Sequence, residues 1–129
     1  MKTLVVGIAT YREMKARTVA IAKGEYKPGP QEPLVWFTST ESFARVLSDR
    51  NRDLLRVIAE SAPKSLAALA ERTGRQKSNL SRTLKTMERY GFVQLARGDR
   101  GSLIPRVRYQ RISLVLPLAP PLRSRRKAA

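Results

Sequence analysis

Cysteine and histidine are both absent. With them go Cys/His metal sites, thiol nucleophiles and the Ser-His-Asp and Cys-His catalytic arrangements. Most hydrolase chemistry is excluded, and so is a disulfide-stapled secreted scaffold. Carboxylates are scarce, 10 Asp+Glu in 129 residues, and too scattered to form a convincing acid/base pair. The stretch from Gly24 to Pro30 has the glycine spacing of a phosphate loop but lacks its Gly-Lys-Ser/Thr end. Neither an enzyme nor a cofactor is expected. Aromatics make up only 6%, with no stacking motif on a sheet, which argues against a single-stranded RNA reader. No apolar run reaches the roughly 18 residues of a membrane-spanning helix. The longest candidate, Ile112 to Leu122, is broken by Pro117, Pro120 and Pro121, and the apolar start is too short for a secretory signal. The expectation is a cytoplasmic, nucleoid-associated protein with no membrane partner.

What the chain has in excess is positive charge: 26 Lys+Arg give a formal net charge of +16. The excess is asymmetric. Residues 1–60 carry 10 basic and 7 acidic side chains, a balance of +3, whereas residues 61–129 carry 16 and 3, a balance of +13. Clustered Lys/Arg displace counterions from phosphates, so the asymmetry points to a nucleic-acid partner.

Hydrophobic content of 42% suffices for one core. A strand over Thr3–Ala9 leads into a helix from Tyr11 to about Gly24, with Met14, Thr18 and Ile21 as its inward stripe. Three prolines between Lys27 and Pro33 make a linker. Leu34–Thr38 reads as a strand with Trp36 as a core anchor, and Ser39 or Thr40 caps a short helix to about Leu47. Ser48 or Asp49 caps a helix to about Ser61 that buries Leu54, Leu55 and Ile58, and Pro63 stops it. Ser65 caps a second, Leu66–Thr73, which buries Leu66, Leu69 and Ala70 and ends at Gly74. A third runs from Lys77 to about Tyr90 with Leu80, Leu84 and Met87 inward, and Gly91 breaks it. The period then falls to two. Phe92–Arg97 and Leu103–Tyr109 form a hairpin about Gly98–Gly101, with Pro105 suited to an edge, and Ile112–Leu116 is a further strand candidate before a basic tail expected to be mobile.

Helix, glycine turn, helix and hairpin is the order of a winged helix-turn-helix. The expected class is α+β: a three-helix core with a β-hairpin wing and an N-terminal strand-helix extension. The segments are 1–33 (extension and linker), 34–112 (DNA-binding domain) and 113–129 (apolar, then basic tail). With Leu80, Leu84 and Met87 inward, the 100° step puts Ser78, Arg82, Lys85 and Arg89 outward, flanked by Lys77, Asn79 and Thr86. Asn79 suits adenine and Arg82 guanine, while Ser78, Lys85 and Arg89 suit phosphates. Gln76 and Ser81 complete the candidate set on this helix. The hairpin adds Arg97, Arg100, Arg106 and Arg108.

The run Ser65–Gly74, followed by Leu80-Ser81-Arg82, Leu84, Met87-Glu88, Gly91 and Val93, resembles the MarR/ArsR-like winged helix regulators of prokaryotes over about residues 48–110. The flanks, Gly7-Ile8-Ala9 and Trp36 to Ser39, look like a smaller group of predicted regulators, some of them antitoxins. Two departures stand at the turn: Arg75 replaces a usual apolar residue, and Gln76 replaces a usual Ser/Thr cap. The resemblance implies a DNA-binding transcriptional regulator, a homodimeric repressor on double-stranded DNA. An autoregulating type II antitoxin with a cognate toxin partner is one form of this, and a nonspecific nucleic-acid or nucleoid-associated protein is the alternative. The N-terminal strand-helix and Ile112–Leu116 are the candidate dimer elements.

Overall fold

In the computed structural model, residues 2–118 are described; the basic tail read as mobile lies outside them from residue 119 on. The elements are β1 (Thr3–Ile8), α1 (Tyr11–Ala22), β2 (Val35–Phe37), α2 (Thr40–Val46), α3 (Asp49–Ser61), α4 (Leu66–Thr73) and α5 (Lys77–Arg89). After them come β3 (Val93–Arg97), a 3-10 turn at Asp99–Gly101, β4 (Leu103–Val107) and β5 (Arg111–Val115). The class is α+β. Among the described residues no helix is long and apolar enough to cross a membrane.

Local chemistry sets the helix ends. The Ser48 and Ser65 hydroxyls accept hydrogen bonds from the Asn51 and Ala68 N–H groups, satisfying donors the first turns would leave open. Gly74 closes α4 in a left-handed conformation, φ 74°, which costs a glycine little. On α5 the sidedness is complete: Leu80, Leu84 and Met87 are each 0% exposed.

Two sheets flank the helices. β1 is the centre of a parallel sheet ordered β2-β1-β5, and β3 and β4 form an antiparallel hairpin. In β1, Leu4 and Val6 point into the same buried cluster as Leu54, Ile58, Leu69 and Leu84. One core therefore unites the first strand with the helices. The pairing of Thr3 with Arg111 through Gly7 with Val115 brings the start of the chain against residues beyond the hairpin.

The opposite face of β1 corrects two expectations. Gly7 pairs with Trp36 and Ile8 with Phe37, and alternation sends Trp36 to the Gly7 face and Phe37 to the core. Trp36 is half-buried over Gly7, where an added Cβ would lie 2.6 Å from the indole. Phe37 is the buried anchor instead, stacked on Tyr90 at 4.2 Å between centroids. On α1, Thr18 is exposed and its hydroxyl donates to the Met14 carbonyl. Arg17 takes the expected inward place, its guanidinium 5.2 Å from the Trp36 ring centroid. The narrow sheet leaves α1 with no fully buried residue.

The return strand of the hairpin ends at Val107, short of the expected Tyr109. The chain leaves the hairpin there to reach β1, and the Gln110 N–H donates to the Lys2 carbonyl.

Candidate nucleic-acid interface

Gln76, Lys77, Ser78, Asn79, Arg82, Lys85 and Arg89 are all exposed, and Ser81 is half-buried. Burial of the Leu80/Leu84/Met87 stripe fixes this, because a helix with one face locked in the core has its opposite face turned out. Among the described residues the ion pairs are Arg17–Glu32, Arg52–Asp49 and Arg56–Asp53. None involves α5 or the hairpin. The one acidic residue of α5, Glu88, instead accepts a hydrogen bond from the Leu95 N–H at 3.3 Å, so its carboxylate is directed to β3. Among the described residues the cations of α5 have no carboxylate partner.

β3 packs against α5 and leads to the hairpin tip, where Arg97 and Arg100 are exposed. Arg100 holds a left-handed backbone, φ 58°, a conformation that costs a non-glycine residue roughly 1 kcal/mol or more. The remaining two hairpin arginines are placed differently. Arg106 pairs across the hairpin with Gln94 and lines a groove along α3 to which α5 contributes no residue. Arg108 lies beyond β4, its guanidinium 5.8 Å from the Tyr109 ring centroid.

The turn before α5 holds a residue whose role the sequence reading missed. Arg75 donates to the Asn51 Oδ1 at 3.2 Å and to the Arg50 carbonyl at 3.0 Å, while Asn51 itself donates to the Val46 carbonyl. The α4–α5 turn is thus bound to the start of α3. Burial, and secondarily the charge of Arg50, pull the Arg75 pKa below its ordinary value, since both disfavour the cation. The role of Arg75 was not legible locally, because Arg75 and Asn51 are 24 residues apart. At the α5 N-terminus Gln76 supplies no side-chain cap, so the missing Ser/Thr is not replaced in kind.

Comparison with known protein families finds one whose span covers most of these elements. The family described as HVO_A0114 matches residues 46–114, from the end of α2 into β5. The chain belongs to the HVO_A0114 family. The matched part of this HVO_A0114 protein holds α3, α4, α5, the hairpin and every residue of the candidate interface, and leaves β1, α1 and β2 outside. No curated protein and no solved structure matches the chain.

Proposed function

We propose that this HVO_A0114 protein is a sequence-specific binder of double-stranded DNA, built as a winged helix-turn-helix. α5 enters the major groove and the Gly98–Gly101 tip serves as the wing. The observation that carries this reading is the two-sidedness of α5: three residues of one face wholly buried, and Lys77, Arg82, Lys85 and Arg89 exposed on the other without ion-pair partners among the described residues. An ordinary solvated helix face intersperses carboxylates with its cations. Here Glu88 is engaged with β3.

Asn79 and Arg82 are assigned to base edges, and Ser78, Lys85 and Arg89 to phosphates, joined by Arg97 and Arg100 from the wing. The uncapped first turn of α5 leaves backbone N–H groups to meet a phosphate. Two copies acting on a repeated or palindromic site would supply the contacts that a single recognition helix lacks, and a protein so bound acts most simply as a repressor.

The test is a titration of the purified protein against the DNA upstream of its own gene and against a scrambled duplex of equal length, at two salt concentrations. A preference of about 10³-fold or more that persists at the higher salt establishes specific binding. Equal affinities that collapse together with salt establish the nonspecific alternative.

A further inference from the structure

The parallel sheet ends before its core face does. Ile112 and Leu114 of β5 pair with Leu4 and Val6 and share their face, but β5 is an outer strand and Leu114 remains 38% exposed. Beside it lies a groove of about 1140 Å³ between α3 on one side and β4 and β5 on the other. Leu55, Val107 and Tyr109 extend the apolar floor. Both walls carry arginines. Arg52 and Arg56 stand one turn apart on α3, each in an exposed ion pair on its own helix, with Asp49 and Asp53 respectively, pairs weak enough for a partner's carboxylates to replace. Arg106 and Arg111 face them from the strands with no ion-pair partner among the described residues.

We propose that this groove docks an acidic amphipathic helix of a partner protein, its apolar stripe on the floor and its flanking Asp/Glu side chains against the arginines of both walls. Charge selects this occupant. A second copy seated on this groove would set the same four arginines against its own. The chain's own residues 119–129 add Arg123, Arg125, Arg126 and Lys127 and no acid. DNA would satisfy the guanidiniums but leave the apolar floor uncovered. A helix with one apolar stripe between two acidic flanks satisfies floor and walls together, the groove-binding mode of amphipathic helices. The site is separate from the α5 face, so this proposal does not depend on the DNA-binding reading.

The probe is a fluorescein-labelled helical peptide with Leu at i, i+3, i+4 and i+7 and Glu on the flanks, compared with a scrambled peptide of the same composition. The expected result is saturable binding of the patterned peptide by the full chain, with amide shifts at Ile112 and Leu114 by NMR. The double variant Arg52→Glu/Arg56→Glu, checked for native circular dichroism, loses about tenfold or more in affinity, and Lys85→Glu/Arg89→Glu, which changes the net charge by the same amount, loses none. The proposal is overturned if the scrambled peptide binds equally, or if the α5 variant loses as much as the groove variant, since either result means attraction to net charge alone. It is also overturned if sedimentation shows a dimer that Leu114→Glu abolishes and the peptide cannot displace, which would make a second copy the occupant.

Discussion

The proposed DNA interface makes a quantitative claim about salt. Lys77, Arg82, Lys85 and Arg89 on α5 and Arg97 and Arg100 at the hairpin tip are exposed and have no ion-pair partner among the described residues. Arg82 is assigned to a base edge; if each of the other five neutralises one phosphate, log Kobs per protomer falls against log[salt] with a slope of about −4.5, so affinity drops roughly 500-fold between 50 and 200 mM salt. Lys85→Ala removes one phosphate contact, makes the slope shallower by about 1, and weakens every sequence alike. Arg82→Ala costs about 1–3 kcal/mol on the specific site and relaxes its specificity. Fluorescence anisotropy at four salt concentrations, on specific and scrambled duplexes, reads all of this. The control is Lys15→Ala, an exposed cation on α1, expected to leave the slope unchanged. A slope shallower than about −2 refutes the interface, and so does an equal change for Lys15→Ala and Lys85→Ala, because binding would then follow the total charge and not this helix.

Other expectations concern the scaffold and its compromises. Leu84→Ala, at a site 0% exposed, is expected to lower unfolding stability by about 2–5 kcal/mol, read as a fall in the urea midpoint, whereas Lys85→Ala next to it stays within about 0.5 kcal/mol. Arg100→Gly relieves the left-handed backbone at φ 58° and raises stability by up to about 1 kcal/mol, while DNA affinity falls with the lost cation; a variant that gains stability at full affinity removes Arg100 from the interface. Arg75→Ala strips donors from the Asn51 Oδ1 and the Arg50 carbonyl and costs about 1 kcal/mol, and Arg75→Lys restores little of it because a single ammonium lacks the planar fork. Gly7→Ala places a Cβ 2.6 Å from the Trp36 ring; a loss of about 1–3 kcal/mol with a shift in the emission of the only tryptophan is expected, and an unchanged spectrum would show that the indole does not cover Gly7.

Where a feature depends on residues a few positions apart, the sequence was readable. Ser48, Ser65 and Gly74 mark helix ends by short-range hydrogen bonds and backbone conformation, and the Leu80/Leu84/Met87 period picks the buried face of α5 without reference to anything else. Errors arose where two local solutions compete. A helical stripe through Thr18 and one through Arg17 differ by a single residue, and only the position of Trp36 and Tyr26 selects Arg17. Trp36 and Phe37 are adjacent aromatics in a three-residue strand, so which one enters the core depends on register against Ile8. Pairing of β1 with β5 lay beyond reach for another reason: it joins Thr3 to Arg111, and no periodicity within either strand names its partner. The direction of Arg106 was out of reach for a similar reason, since the groove that its strand lines is closed by α3, an element remote in sequence from the hairpin.

These long-range links decide how α5 is presented. The helix has no side-chain cap at Gln76, so its own sequence leaves the N-terminal end weakly specified. Arg75 compensates from outside the helix by fixing the preceding turn to the start of α3. At the other end Tyr90, the C-cap of α5, is stacked on Phe37, a residue of β2, which hydrogen-bonds to β1, which in turn carries β5. The orientation of α5 is therefore set by parts of the chain that lie outside it on both sides, including strands beyond the family-matched span. A fragment restricted to residues 46–114 would keep every cation of the proposed interface and lose Leu4, Val6 and Phe37 from the shared core. Charge alone would survive such a cut; the rigid placement of α5 that base-specific contacts require would not.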